Sequence, residues 1–382
     1  MGKPSLPSLS LPLPPPPRLR HRRPVRARRV PPLLALAAAA AMALLYLLLL
    51  AVAPCLVRGG CYRGYRSAWS FDAHAGHHPA WMAAVPDDTN LTSLSIPGTH
   101  DTMTYGLLRR DPVLNCQNWN LSVQLDAGLR YLDIRARLRD DELHIYHGDG
   151  YTGFSFADVL RDVLAFLVAN PSEALVMRLK EEGRPVGANN SKTFEEAFVG
   201  YYRGGGGGSS GERQPRNNHL ADHLYLYDNR SAPIPTLGAL RSRVFLLQDF
   251  ASSSQGAPSY GLAWDGPQMA LEDAWIVPDV YHLAEKWTAI RTALERAATD
   301  ALDNARLYLA HVSASIGVLP VEAAAGPLNR TVTGMNDMTG QWVRDFERVP
   351  EARRTGVVIF DFPGRQAIEA VLAWNKKLGV KV

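Results

Sequence analysis

Three cysteines in 382 residues are too few to build a disulfide framework. Cys55 ends an apolar run, so Cys61 and Cys116 remain as a candidate pair, and the sequence leaves open whether they meet. The first 32 residues contain no acid but one Lys and seven Arg. With a net charge of +4 overall, the rest of the chain is about four charges negative. It carries no basic stripe, which excludes a nucleic-acid-binding face. The five-glycine run Gly204–Gly208 has no Lys-Ser/Thr after it and is not a phosphate loop. No Cys or carboxylate frames His74, His77 and His78, so that trio reads as a solvated linker and not a zinc site. No internal repeat is present.

What is there falls into four stretches. Residues 1–32 are rich in Pro and Arg, cannot bury apolar area, and read as a disordered cytosolic tail. Residues 33–57 are uncharged, and about 20 apolar residues suffice to cross a bilayer as a helix. The basic flank ahead of them predicts a signal anchor with the C-terminal body extracellular or lumenal. The alternative is a cleaved signal peptide and a secreted body, although such a peptide has a shorter apolar region of roughly 7–15 residues. Residues 58–88, with Arg58, Arg63 and Arg66, read as a juxtamembrane stalk. Residues 89–382 form the folded body. Sequons at Asn90, Asn120, Asn189, Asn229 and Asn329 all fall on the expected outer side, as in a glycoprotein.

In the body, short apolar runs alternate with helical stretches. Strands are expected near 91–96, 130–135, 143–147, 174–180, 243–248, 274–277, 306–312 and 356–361. The clearest helix is 155–169, which opens on Ser155-x-x-Asp158 and ends before Asn170-Pro171. A second covers about 282–304, with Leu283, Trp287, Ile290 and Leu294 on one face. The segment 203–219 reads as a surface loop. Eight strands interleaved with helices predict an α/β fold, an irregular (β/α)8 barrel.

Strand alternation then sorts the side chains. In Tyr131-Leu132-Asp133-Ile134-Arg135 the apolar Leu132 and Ile134 pack under helices, so Asp133 and Arg135 point inward. In 175–180, Leu175, Met177 and Leu179 share the outer face, leaving Arg178 and Lys180 inward. Asp361 ends the inward set of 357–361. His147 shares a face with Leu143 and Ile145. His100 follows the Pro97-Gly98 break that ends the first strand. Ionisable groups thus converge at the C-terminal ends of strands, where active sites of this fold lie. A structural ion-pair network is the alternative, but two histidines add chemistry that a salt bridge does not need.

The stretches IPGTHDT, GLRYLDIRARL and LHIYHGDGYTGFSFADVLRDVLAFLVANPSEALVMRLK resemble the X domain of phosphatidylinositol-specific phospholipase C, most closely its secreted bacterial and fungal type. The resemblance spans roughly 89–365 and implies a metal-independent phosphodiesterase that needs no cofactor and acts on a membrane phospholipid with an inositol headgroup. It implies that His100 is the general base, His147 the general acid and Arg135 the phosphate-binding arginine. Asp361 orients the base, Asp101 supports the acid–base machinery, and Asp133 and Lys180 match further active-site positions. Asp279-x-Tyr281 resembles a substrate-contacting pair, and Arg178 joins the substrate-binding set. Calcium-dependent relatives have Asn, Glu, Asp and Glu where this chain has Asp101, Asp133, Arg135 and Lys180, and two cations there would repel calcium.

The residue types suit that chemistry independently. Cleaving a phosphodiester by an internal hydroxyl needs a base on one side and an acid on the other, and histidine serves both roles near neutrality. A guanidinium fork stabilises the charge that develops on phosphorus oxygens. One departure stands out: Leu247-Gln248-Asp249-Phe250 occupies a strand end where the bacterial pattern has an Arg contacting inositol hydroxyls. A catalytically silent, membrane-tethered lipid- or protein-binding barrel is therefore the competing reading. A glycerophosphodiesterase on the same barrel would want a His-Arg-Gly start and a Glu-Asn-Thr metal motif, and neither occurs.

Overall fold

The computed structural model describes residues 32–58, 60–107, 111–204, 219–227, 232–252 and 260–378. The expected tail, most of the glycine-rich loop and the Asn229 sequon lie outside them. The chain divides into two units, Met1–Ala51 and Val52–Val382. Helix α1 (Pro32–Arg58) carries the apolar run, and Leu33, Leu34, Leu36 and Leu44 are exposed. Side chains 48–58 are outside the described set, and among the described residues no helix is long and apolar enough to cross a membrane.

The main sheet of the second unit has eleven strands among the described residues; besides the short Leu224–Tyr225, which pairs with Arg243–Asp249, they are β1 (Ile96–Thr99), β2 (Tyr131–Arg139), β3 (Glu142–His147), β4 (Gly150–Ser155), β5 (Ala174–Glu181), β6 (Arg243–Asp249), β7 (Leu262–Ala263), β8 (Met269–Glu272), β9 (Leu307–His311) and β10 (Val357–Phe360). Eight of them form one parallel, curled path in the order β7-β6-β5-β2-β1-β10-β9-β8. No pairing joins β7 to β8 among the described residues, so the barrel is irregular, as expected. The hairpin β3–β4 runs antiparallel off the upper half of β2.

The alternation read from the sequence holds. Leu132, Ile134, Leu175, Met177 and Leu179 pack in one cluster with helix α2 (Phe156–Ala169), which buries Phe156, Val159, Val163 and Leu167. Ser155 caps α2 in a reciprocal box with Asp158, and Asn170 ends it ahead of Pro171. Each of those core side chains contributes roughly 1.5–3 kcal/mol by leaving water. Inside the barrel, Tyr131, Val176, Phe245, Leu247, Leu309 and Ile359 fill the lower layers. On the same inward faces, one or two positions on, stand Asp133, Arg178, Asp249, His311 and Asp361. The core is apolar below and ionisable above. On the far side, helices α3 (Leu283–Thr299), α4 (Met335–Phe346) and α5 (Arg365–Ala373) cover β9 and β10.

Four expectations need correction. Residues 91–93 form a 3-10 turn, and the first strand starts only at Ile96. Residues 143–147 are a hairpin strand, not a barrel stave. Ile276–Val277 pairs with Ser315–Ile316 outside the barrel sheet, while the stave in that region is β8, whose Met-Ala-Leu-Glu carries no β-branched residue. The stretch 58–88 is no solvated stalk from Gly60 onward: Trp69, Phe71, Trp81, Met82 and Val85 are buried. The buried Arg130 also pins this stretch. Its guanidinium donates to the His78 and Pro79 carbonyls and pairs with Glu173 at 2.8 Å. Glu173 in turn accepts from Met82 N at 3.1 Å. His74 contacts Trp119 and His78 faces Glu369, so the three histidines do not converge.

Candidate active site

The site starts where β1 ends. Gly98 runs so close to β2 that an added Cβ would lie 2.5 Å from Tyr131 Cβ. His100 N donates to Phe360 O at 3.0 Å, which fixes the turn against β10. Asp101 follows at φ +43°, a left-handed conformation that Asp tolerates better than most residues. The turn aims both side chains into the barrel mouth.

His100 Nδ1 lies 2.9 Å from Asp361 Oδ1, and Nε2 lies 3.1 Å from Asp101 Oδ2. With Nδ1–H donating to Asp361, Nε2 keeps its lone pair. Burial, then Arg135, pushes His100 well below the ordinary histidine range, so the ring rests neutral. Burial, then Asp101, pushes Asp361 well above the usual carboxylate range. His147 ends β3 and donates Nδ1–H to Leu114 O at 2.8 Å, with Nε2 3.4 Å from the same Asp101 oxygen. The two imidazole centroids are 6.1 Å apart, and the rings are nearly perpendicular at 84°.

Arg135 is clamped by carboxylates: Asp133 Oδ2 at 2.8 Å, Asp101 Oδ1 at 3.2 Å and Glu182 Oε1 at 3.7 Å. Burial raises Asp133, but Arg135 and Arg178 together outweigh it and hold the group well below the usual range. Asp101 goes the other way. Burial pushes it up to about 6 against the pull of Arg135 and His147. Lys180 Nζ meets Glu182 at 2.7 Å. Arg178 is held by Asp249 at 2.6 Å and stacks over Trp264 at 3.8 Å. The departing strand end thus supplies a counter-ion to the neighbouring strand's arginine.

These groups line a cavity of about 400 Å³. His100, His147, Arg135, Asp361, Arg178 and Lys180 all reach it, and Asp101 and Asp133 lie just beneath. Asp279 and Tyr281 do not. Asp279 accepts from Tyr281 N at 2.8 Å and pairs with His282, and Tyr281 is 72% exposed. Their expected place is taken by Asp273 and Trp275, which share the Asp-x-aromatic spacing six residues earlier. Burial pushes Asp273 up to about 6. Glu182 is a further site residue without a sequence signal of its own: it sits two residues past Lys180, one beyond the end of β5. His311, at the end of β9, is fully buried 5.7 Å from the His100 ring; among the described residues neither ring nitrogen has a hydrogen-bond partner, and Nδ1 lies 3.9 Å from Asp273 Oδ1. Cys61 is disulfide-bonded and Cys116 is a free thiol, so the pairing of these two does not form.

Residues 92–202 match the family model described as phosphatidylinositol-specific phospholipase C, X domain. A 1-phosphatidylinositol phosphodiesterase of Listeria monocytogenes is 32% identical over 306 residues, covering 78% of this chain and 84% of that protein. One from Staphylococcus aureus is 26% identical over 317 residues, covering 78% of this chain and 93% of its own length. The structure of the Listeria phosphatidylinositol-specific phospholipase C superposes with a TM-score of 0.61 at 30% identity, covering 78% of this chain and 99% of that one. The chain belongs to the phosphatidylinositol-specific phospholipase C family and is a phosphodiester-cleaving enzyme.

Proposed function

We propose that this enzyme cleaves an inositol phospholipid, phosphatidylinositol or a glycosylphosphatidylinositol, into diacylglycerol and a cyclic inositol phosphate. One observation carries the reading: the Asp101 carboxylate lies 3.1 Å and 3.4 Å from the two imidazoles and 3.2 Å from the Arg135 guanidinium. All three head groups therefore fall within reach of a single phosphodiester.

His100 Nε2 takes the proton from the inositol 2-hydroxyl, whose oxygen attacks phosphorus. Asp361 holds the ring in this tautomer through Nδ1–H, and the positive charge the ring gains is balanced by the ionised Asp133. Charge building on the phosphorus oxygens meets Arg135. His147, protonated on Nε2 and steadied by Leu114 O, gives that proton to the departing diacylglycerol oxygen. The attacking hydroxyl is part of the substrate, so proximity supplies much of the rate. Arg135 brings the cation itself and faces one oxygen each of Asp101, Asp133 and Glu182, so turnover is expected to survive a chelator.

A lipid surface as the source of substrate is supported by the cavity rim. Val113, Trp275 and Ile316 line the mouth and are 57%, 42% and 72% exposed, and Ile276, 64% exposed, pairs with Ser315 of the same rim. Ile316 is held at φ +84°, a strained conformation for a β-branched residue. Residues 33–57 tether the enzyme, with the barrel on the extracellular or lumenal side and sugars on exposed sequons such as Asn189 and Asn329. The basic tail and the sequon positions support this, and outer-leaflet glycosylphosphatidylinositol is then within reach. Protease protection and glycosidase shifts of the full chain in microsomes test it, and a cleavable tail on the lumenal side would overturn it.

The activity test is headgroup-resolved product analysis on mixed vesicles, with and without chelator. Cyclic inositol phosphate from the native chain, lost in His100→Ala and His147→Ala, is the expected result. Vesicle binding without turnover would mean a silent barrel, and loss of turnover with chelator would overturn the metal-free mechanism.

A further inference from the structure

Cys116 has no part in the chemistry above, yet it lies on the cavity wall as a fully buried free thiol. Its Sγ is 4.0 Å from His147 Nδ1. Sγ, a ring nitrogen of His147 and a carboxylate oxygen of Asp101 all lie within 4.8 Å of one another. The thiol forms a second such triad with His100 and Asp361. Asp101 is 97% buried, and its Oδ2, which faces this space, has no aligned hydrogen-bond donor.

A sulfur, an imidazole nitrogen and a carboxylate oxygen, with a fourth position open to a solvent cavity, make a donor set for zinc or a similarly soft divalent cation. Magnesium and calcium prefer all-oxygen shells and gain nothing from the thiol. We propose that Cys116, His147 and Asp101 form an inhibitory site for zinc. Binding converts the thiol to thiolate and releases its proton to solvent. The metal then occupies the imidazole assigned to the leaving oxygen and the carboxylate beside it, and turnover stops until a chelator removes it. The inhibitory consequence rests on the proposed role of His147, whereas the binding does not.

Zinc chloride titrated into the full chain should abolish cleavage reversibly, while magnesium and calcium chlorides at the same concentrations leave it intact. In Cys116→Ala the inhibitory zinc concentration should rise at least about tenfold, since even groups outside a ligand shell are worth that much. Cobalt(II) gives a second readout: a thiolate-to-cobalt charge-transfer band in the native chain, absent in the near-isosteric Cys116→Ser. Unchanged zinc sensitivity in Cys116→Ala, or no cobalt–thiolate band in the native chain, overturns the site. The band is read without substrate, so failure of the catalytic reading leaves this test standing.

Discussion

Asp361→Asn isolates the orientation of the proposed base. The side chain is nearly fully buried and meets His100 Nδ1 at 2.9 Å. Asparagine keeps the shape, but its amide can turn either way: the oxygen accepts from Nδ1–H, whereas the NH2 donates to Nδ1 and moves the ring proton to Nε2, the atom that must take the substrate's proton. A fully wrong tautomer costs towards 10⁴-fold, and a merely weakened hydrogen bond about 1 kcal/mol. The expected loss lies between them, about 3 kcal/mol, so kcat should fall roughly 100-fold to 1,000-fold with KM little changed. Stability separates this from damage. The folded-state pKa of Asp361 is raised above its unfolded value, so its contribution favours folding below the unfolded pKa and is lost as pH rises through the folded one. At pH 7 the variant should therefore melt no lower than the native chain. Steady-state kinetics with calorimetry decide it: a kcat loss below tenfold with an intact fold refutes the orienting role.

Three further outcomes follow from other parts of the fold. Glu173→Gln strips the charge partner from Arg130, both fully buried, and should lower unfolding free energy in urea by about 3–5 kcal/mol; a change under about 1 kcal/mol would mean the pair is not what pins the His78–Met82 segment. Burial pushes Asp337 up to about 6 from 3.8, so the native chain loses stability from this group as pH rises through that range. The melting temperature of Asp337→Asn relative to native should accordingly climb between pH 4 and pH 7, and a pH-independent difference would contradict the shift. Ile316→Gly releases the positive-φ strain while deleting an exposed apolar side chain; it should raise the melting temperature but weaken vesicle binding, and unaltered binding would remove Ile316 from the lipid-facing rim.

How much was legible depended on periodicity. The inward faces of 131–135 and 175–180 could be read because a two-residue alternation continues while its inward members change from apolar to charged, and that change marks the barrel mouth. His100 and His147 emerged for the same reason, at strand ends. By contrast β8 has no β-branched or aromatic residue to announce it, and Ile276–Val277 looks more like a strand than the real stave does. Asp273-x-Trp275 and Asp279-x-Tyr281 are equivalent as spacings, and only the path of the chain after β8 decides which pair enters the cavity. The packing of Trp69, Phe71, Trp81 and Met82 follows no period, since these residues lie in turns that wrap the barrel. Arg130 and Glu173, 43 residues apart, left no sequence signal of their pairing. Cysteine spacing carried no geometry, so the free thiol at the mouth was invisible until the fold placed it there.

The central claim assigns opposite proton tasks to the two imidazoles, and leaving-group chemistry separates them most directly. A phosphodiester of inositol with a good leaving group, such as a nitrophenolate, needs a base to start the attack but little acid to finish it. On that substrate His147→Ala should recover most of the native rate while His100→Ala stays inactive. Equal loss in both variants, or recovery of His100→Ala instead, would contradict the assignment.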